Sequence, residues 1–164
     1  METDNSRPTF VLFVCLGNIC RSPLAEAALR DLAQREALDI VVDSAGTGDW
    51  HIGHAPDVRA QEVAQRLGGL SIASLQARQV SADDFARFDH ILAMDAANLR
   101  DLRAVQPAGS KAQLSLLLDH LQGQEGGSVA DPYYGDIADF ELCWQQVVEA
   151  TQGFARTLRP SNAE

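Results

Sequence analysis

The feature that most constrains this chain is an apolar run that stops at a cysteine and continues through a short loop into a helix. Residues 11–14 are Val-Leu-Phe-Val, a composition typical of a strand buried on both faces. The run ends at Cys15, and an Ala- and Leu-rich segment typical of a helix follows Pro23. Ser22 is expected near the helix N-cap and Pro23 in the first turn, where its missing N–H costs nothing. The segment therefore predicts a strand, a tight loop and a helix.

The loop that joins this strand to this helix is predicted to bind a tetrahedral anion. Backbone N–H groups converge where a loop enters a helix, and the helix dipole adds positive potential there. Gly17 and Asn18 are expected to take the left-handed conformations that a curled loop needs. Arg21 carries a planar fork of donors that fits two oxygens of a phosphate group.

Cys15 is the candidate nucleophile of this loop. The helix N-terminus and the Arg21 guanidinium both favour a thiolate over a thiol at this position. A thiolate below a bound phosphoryl group is placed for in-line attack and a cysteinyl-phosphate intermediate. The alternative is a structural turn whose buried cysteine is a small apolar residue, since a cysteine and an arginine at this spacing also occur by chance. The strand before the loop, the Gly-Asn pair and the Ser-Pro helix start together favour catalysis.

Three motifs in the same order resemble those of the low-molecular-weight protein tyrosine phosphatases, over about residues 10–158. They are CLGNICRSP at 15–23, DSAGT at 43–47 and DPYYG at 131–135. The resemblance implies a four-stranded parallel sheet of order 2-1-3-4 and hydrolysis of phosphotyrosine in proteins, or of small aryl phosphates, with inorganic phosphate as product. The residues expected to bind phosphate or substrate are Leu16, Gly17, Asn18, Ile19, Cys20, Ser22, Trp50, Tyr133 and Tyr134.

Asp131 is the candidate general acid, because a leaving phenoxide needs a proton. Pro132 gives its loop a fixed φ and a defined turn. The carboxyl group is expected to donate its proton as the substrate departs and then to activate water against the cysteinyl phosphate. From residue types alone, an aspartate of a surface turn is the main alternative. The resemblance places the general acid at this Asp-Pro and favours catalysis.

The resemblance also places Leu16, Trp50, Tyr133 and Tyr134 around the mouth of the cleft. These side chains are expected to form apolar walls for a flat aromatic substrate. A deep slot of this kind favours phosphotyrosine over phosphoserine, whose phosphate would not reach the thiolate. The alternative for the two tyrosines is partial burial with the hydroxyl groups in water.

Two serines are expected to support the loop, Ser22 by donating to the Cys15 thiolate and Ser44 by donating to Asn18. Helix capping and strand-end packing are equally open to these serines. The family's pattern has a histidine that buttresses the loop asparagine, and Leu75 stands at that place. We expect a looser loop but retained activity, since no reacting group is lost.

Cys20 lies in the same curled loop as Cys15, so a disulfide between them is geometrically possible. A thiolate of low pKa oxidises readily, and a neighbouring thiol can trap its sulfenic acid reversibly. Cys20 is therefore a candidate redox partner, and the alternative is a small apolar loop residue. Cys143 is expected in the core of the last helix.

Strands that alternate with helices predict one α/β domain with helices on both faces of a parallel sheet. Ligands of such sheets bind beyond the carboxyl ends of the strands, where Cys15 falls. In the last helix, Leu142 is assigned to the core face and Gly153 is expected to weaken the end. The domain is expected to cover residues 1–164, with a core at about 9–158 and short polar tails. The predicted strands are 9–14, 38–44, 90–94 and part of 111–118, and the predicted helices are 23–36, 57–67, 83–88, 95–105 and 139–158.

The net charge of −10, with Lys111 as the single lysine, argues against binding to nucleic acid or to anionic membranes. No apolar run approaches the ~20 residues that span a bilayer. The polar start is typical neither of a signal peptide nor of a transit sequence, so we expect a cytoplasmic protein with cysteine thiols. His51, His54, His90 and His120 show no metal-ligand spacing, so no metal and no cofactor are implied.

Three other functions share features of this chain. Thioredoxin-coupled arsenate reductases have this loop, but their chemistry needs further cysteines in the middle of the chain, and none lies between Cys20 and Cys143. Protein arginine phosphatases resemble the loop but carry threonine where Ile19 stands. A catalytically silent anion-binding or redox-sensing module is a third possibility, and the presence of Cys15, Arg21 and Asp131 argues against it.

Overall fold

The computed structural model describes residues 7–158, which form a three-layer α/β fold. The four strands are all parallel and take the order β2-β1-β3-β4, which confirms the predicted fold class. The polar tails expected at 1–8 and 159–164 lie outside the described residues, apart from residues 7 and 8. The strands are β1 (Thr9–Cys15), β2 (Ile40–Gly46), β3 (His90–Ala93) and β4 (Gln113–Leu116). The helices are α1 (Arg21–Arg35), α2 (Val58–Gly68), α3 (Ala82–Arg87), α4 (Ala96–Val105) and α5 (Ile137–Leu158), with a 3₁₀ turn at Leu117–His120.

Strand β1 is central and is buried on both faces. Side chains alternate across a strand, so Val11 and Phe13 enter the core beneath α1, α2 and α5. Leu12 and Val14 enter a second core on the opposite face, which α3 and α4 cover. All four side chains are fully buried, as the uninterrupted apolar run predicts.

The register of the sheet brings three strand ends together. Cys15, the last residue of β1, pairs with Gly46 at the end of β2. On the other side, Val14 pairs with Ala93 at the end of β3. Because all three strands run in parallel, the segments that follow them meet at one edge of the sheet.

Helix α1 begins at Arg21, two residues before the predicted start at Pro23. Ser22 lies near the N-cap and Pro23 lies in the first turn, as predicted. The residue at the N-cap is Cys20, and no side chain of the described residues caps this helix. Pro23 is still tolerated because every N–H of the first turn lacks an intrahelical acceptor.

Helix α5 differs from the prediction at one position. Leu142 was assigned to the core face, but half of it is exposed, and its neighbour Cys143 is buried instead. The helix runs through Gly153 to Leu158, the predicted end. Gly153 is a contact point, because a Cβ there would lie 1.9 Å from the carbonyl oxygen of His120. No helix of residues 7–158 is long and apolar enough to cross a membrane.

Candidate active site

The loop between β1 and α1 is curled by one left-handed residue. Asn18 has a φ of 60°, as predicted, whereas Gly17 does not take a positive φ, so its predicted conformation is wrong. The missing side chain of Gly17 has another use, because a Cβ there would lie 2.9 Å from the His51 ring. Gly46 is needed for a similar reason, since a Cβ there would lie 2.7 Å from the Leu16 carbonyl oxygen.

Three carbonyl groups of the loop point outward, to neighbouring segments. The carbonyls of Cys15 and Leu16 accept from the N–H groups of Thr47 and Gly48, each at 2.9 Å. The Ile19 carbonyl accepts from the Asp57 N–H at 2.8 Å. In a trans peptide the N–H points away from the preceding carbonyl, so the N–H groups that follow these carbonyls point to the inside of the loop. With the uncapped first turn of α1, they form a cradle for an anion.

The Cys15 sulfur lies at the floor of this cradle and is almost fully buried, with 2% of the residue exposed. The backbone N–H of Asn18 donates to it across 3.3 Å. The Ser22 hydroxyl lies 2.9 Å from the sulfur. Both contacts suit a sulfur that carries negative charge.

The Asn18 side chain holds the loop through three further contacts. Its amide donates to the hydroxyls of Ser22 at 2.8 Å and of Ser44 at 3.0 Å. Its amide oxygen accepts the backbone N–H of Arg78 at 2.9 Å. Ser44 was expected to donate to Asn18, but its hydroxyl donates to the buried carboxylate of Glu26 at 2.6 Å and accepts from the amide.

The network around Asn18 is closed without the histidine of the family's pattern. Leu75 packs against the hydrophobic core. The polar partners come instead from the Arg78 backbone and from Glu26, whose second oxygen pairs with Arg30. Arg30 also donates to the Val42 carbonyl at 2.8 Å. The buried Glu26 carboxylate therefore orients the Ser44 hydroxyl, and this contact opposes the loosening of the loop that we expect from Leu75.

Arg21 is buried, with 3% of its side chain exposed, and is held by two acceptors. Its Nη1 donates to the Asp95 carboxylate at 2.7 Å and to the Val129 carbonyl at 2.9 Å. Its Nη2 lies 3.6 Å from Asp131. Burial alone would lower the pKa of Arg21, but Cys15 and these two carboxylates raise it above its usual value. The guanidinium therefore stays charged, and its Nε and Nη2 hydrogens are left to bind an anion.

Asp131 lies at the rim of the cradle, on the loop that enters α5. Its side chain is 41% exposed, and one carboxylate oxygen accepts the Tyr133 N–H at 3.1 Å. A cleft of about 380 Å³ opens above the loop. The lining residues are Leu16, Gly17, Ile19, Cys20, Trp50, His51, Asp131, Tyr133 and Tyr134. The structure thus brings the predicted wall residues to one cleft, with Trp50 and Tyr134 largely exposed.

Comparisons with known proteins agree with this geometry. A family model described as "Low molecular weight phosphotyrosine protein phosphatase" matches residues 10–163. The chain belongs to this family. A relative of that same name from Schizosaccharomyces pombe is 43% identical over 90% of this chain and 96% of its own length. The predicted family resemblance is thereby confirmed.

Solved structures of the family superpose closely on this phosphatase. The crystal structure of YfkJ from Bacillus subtilis matches with a TM-score of 0.86 and 41% identity, covering 94% of this chain and 97% of that chain. The crystal structure of DARP, described as a drosophila arginine phosphatase, also has a TM-score of 0.86, at 34% identity, and covers 93% and 99% of the two chains. The fold is therefore common to phosphatases of more than one named specificity.

Sequence reasoning missed several residues that shape this phosphatase site. His51 lines the cleft against Gly17, and its ring centroid lies 6.3 Å from that of Tyr133. Asp95 caps α4 and also anchors Arg21. Glu26 is a buried acid inside α1, a position that an amphipathic pattern would have marked as unusual.

The other two cysteines are buried thiols in the phosphatase. Cys20 lines the cleft, and burial, more than the nearby Asp57, raises its thiol pKa. Cys143 lies in the core as expected, and burial raises its pKa to about 12. Among residues 7–158, no group of three or more His, Cys, Asp or Glu side chains could hold a metal ion.

Proposed function

We propose that this phosphatase hydrolyses phosphotyrosine and other aryl phosphate monoesters through a cysteinyl phosphate. One observation carries the proposal: the Cys15 sulfur lies under inward N–H groups and beside a buried Arg21, with Asp131 next to that arginine. The cradle binds the phosphoryl oxygens, and Arg21 binds them through the edge that its own anchors leave free. The dianion is attracted locally, so an overall charge of −10 does not prevent binding.

In the first step, the Cys15 thiolate attacks phosphorus opposite the ester oxygen. The sulfur–phosphorus bond forms while the bond to the aryl oxygen breaks, and Asp131 gives its proton to that oxygen. The Asn18 N–H and the Ser22 hydroxyl stabilise the sulfur as it becomes anionic again in the second step. There Asp131 takes a proton from water, the water oxygen bonds to phosphorus as the sulfur–phosphorus bond breaks, and inorganic phosphate leaves.

The walls of the cleft support an aromatic substrate. Leu16, Trp50 and Tyr133 present apolar surface to the cleft above the loop of Cys15, which suits a flat aromatic ester. Ile19 adds an aliphatic side chain within the loop. We propose phosphotyrosine in proteins as the substrate class, with small aryl phosphates as surrogates.

The experiment measures metal-free hydrolysis of p-nitrophenyl phosphate by wild type, Cys15→Ser and Cys143→Ser. Cys143→Ser is the matched control because this thiol is buried outside the cleft. We expect Cys15→Ser alone to abolish turnover, and mass spectrometry of quenched wild type to find phosphate on Cys15. Hydrolysis that survives Cys15→Ser, or a quenched enzyme without phosphate on that sulfur, would refute the mechanism.

Specificity is tested by parallel assays with phosphotyrosine, phosphoserine and phosphoarginine peptides of one sequence. We expect phosphotyrosine to have the highest kcat/KM. A higher value for phosphoarginine would assign the chain to the specificity named for its drosophila structural relative and would overturn the proposed substrate class.

Cys20 is proposed as a redox partner of Cys15. Peroxide would oxidise the thiolate to a sulfenic acid, and the Cys20 thiol would displace water to form a disulfide that thiols reduce. The proposed nucleophile must remain a thiol between turnovers, so we propose a reducing, cytoplasmic location. We expect Cys20→Ser to recover less activity than wild type after peroxide and then thiol treatment; equal recovery would remove this role.

A further inference from the structure

Arg59, in the first turn of α2, contacts the loop that carries Asp131. Its Nη2 donates to the Tyr133 carbonyl at 2.9 Å, and its Nη1 donates to the Gly135 carbonyl at 3.0 Å. Its guanidinium lies over the Phe140 ring, 4.4 Å from the centroid. One side chain thus binds the loop after Asp131 and the start of α5 together.

The carboxylate of Asp57, the N-cap of α2, orients the Arg59 guanidinium. The two oxygens of this carboxylate accept from Nε at 3.0 Å and from Nη2 at 2.9 Å, the fork-to-fork arrangement that fixes an arginine most firmly. Burial would raise the pKa of Asp57, but its bonds to Arg59 lower it below its usual value. The backbone N–H of Asp57 donates to the Ile19 carbonyl in the phosphate-binding loop.

We propose that Arg59 is a positioning residue for the general acid. Both backbone polar groups of Tyr133 are bound, the N–H by the Asp131 carboxylate and the carbonyl by Arg59. The Asp57–Arg59 pair therefore ties the loop of the acid to the loop of the nucleophile. Loss of the guanidinium frees the acid loop while the nucleophile and Arg21 keep their own partners.

This inference rests on the proposed role of Asp131, and it predicts for which substrates kcat/KM falls most. A phenol that is a poor leaving group needs the proton of the acid, whereas p-nitrophenol leaves largely without it. Misplacement of a catalytic group by about 1 Å can cost up to ~100-fold in rate. We expect Arg59→Met, which keeps the aliphatic stem, to lower kcat/KM for phenyl phosphate by about tenfold or more and for p-nitrophenyl phosphate by less than about threefold.

Arg66→Met is the matched control. Arg66 lies on the same helix and joins α2 to α5 through Glu141 at 2.6 Å, without touching the acid loop. We expect no dependence on the leaving group in this variant. Arg59→Lys keeps the charge but not the planar fork of donors, and we expect it to show the same leaving-group selectivity in weaker form. This second variant tests the proposal if Arg59→Met does not fold.

The double variant Arg59→Met with Asp131→Ala separates this inference from the proposed function. If Arg59 acts through Asp131, adding Arg59→Met to Asp131→Ala should cause no further loss of kcat/KM that depends on the leaving group. An equal loss for both substrates in Arg59→Met, or the same selective loss in Arg66→Met, would overturn the positioning role. If Asp131→Ala itself shows no leaving-group dependence, the acid assignment is wrong and the positioning role falls with it.

Discussion

The Ser44 hydroxyl joins a buried acid to the phosphate-binding loop, and its removal should destabilise the protein and the loop together. In Ser44→Ala, the Glu26 carboxylate loses the donor that lies 2.6 Å away. The Asn18 amide loses one of its two acceptors. Neither the Glu26 carboxylate nor the Asn18 amide can replace the lost hydrogen bond with one to water, because both residues are almost fully buried.

The expected loss of stability follows from the charge of the Glu26 carboxylate, which accepts the Ser44 hydrogen bond. A hydrogen bond to a charged group contributes about 1.5–3 kcal/mol, and a buried partner left unsatisfied adds to the loss. We expect the free energy of unfolding to fall by about 2–3 kcal/mol, which corresponds to a lowering of Tm by roughly 4–12 °C for a domain of this size. Glu26→Gln should cost about 1 kcal/mol, because the amide oxygen still accepts from Ser44 and Arg30 keeps the Val42 carbonyl.

The assay is urea denaturation of wild type and both variants, followed by inhibition with inorganic phosphate. We expect phosphate to bind Ser44→Ala about fivefold more weakly, the equivalent of about 1 kcal/mol, because Asn18 then orders the loop less well. A wild-type urea midpoint for Ser44→Ala, or a larger loss for Glu26→Gln than for Ser44→Ala, would refute the reasoning.

Three further predictions follow from the fold. Gly46→Ala should reduce phosphate affinity and kcat/KM at least tenfold, because its Cβ would lie 2.7 Å from the backbone oxygen of Leu16 and the loop must shift; unchanged phosphate inhibition would contradict this. Added salt should raise kcat/KM for a dianionic substrate, because it screens the repulsion between the substrate and a protein of net charge −10. A kcat/KM that falls as KCl increases would contradict this and would show that attraction by the phosphate-binding loop acts at long range. His90 and His120 pack edge-on against Phe154, and burial lowers the pKa of both below 6.5. The unfolded chain therefore takes up protons first as the pH falls, so stability should be complete above about pH 6.5 and should decrease below it. The urea midpoint from pH 8 to 5 measures this, and His120→Gln should flatten the profile; an unchanged slope would contradict it.

Much of the scaffold could be predicted because its signals are local. The apolar run of β1 marks a strand covered on both faces, and the structure gives it two separate cores. Asp57 and Asp95 cap the starts of α2 and α4, and Gly69 caps the end of α2, as capping rules predict. Ser22 lies near the N-cap as predicted, but its hydroxyl contacts the sulfur seven residues earlier in the chain and does not cap the helix.

The supporting residues of the site could not be predicted in the same way. Arg21 and its anchor Asp95 are 74 residues apart, as are Arg59 and Tyr133. Neither pair has a spacing that periodicity can reveal, because the contact exists only after parallel strands bring their carboxyl ends together. The exposed side chain of Leu142 shows the same limit within a helix, since an apolar residue on the boundary of the buried face is compatible with either side.

Two arginines hold the Asp131 segment from opposite sides, and this links the two halves of the proposed reaction. Arg21 binds the Val129 carbonyl before the acid, and Arg59 binds the Tyr133 carbonyl after it. Arg21 begins α1 immediately after the phosphate-binding loop, and Arg59 follows Asp57, which binds the Ile19 carbonyl of that loop. A bound phosphoryl group that orders the loop would therefore also order the acid. Substitutions on the two sides should then be non-additive, because each removes part of one connected structure.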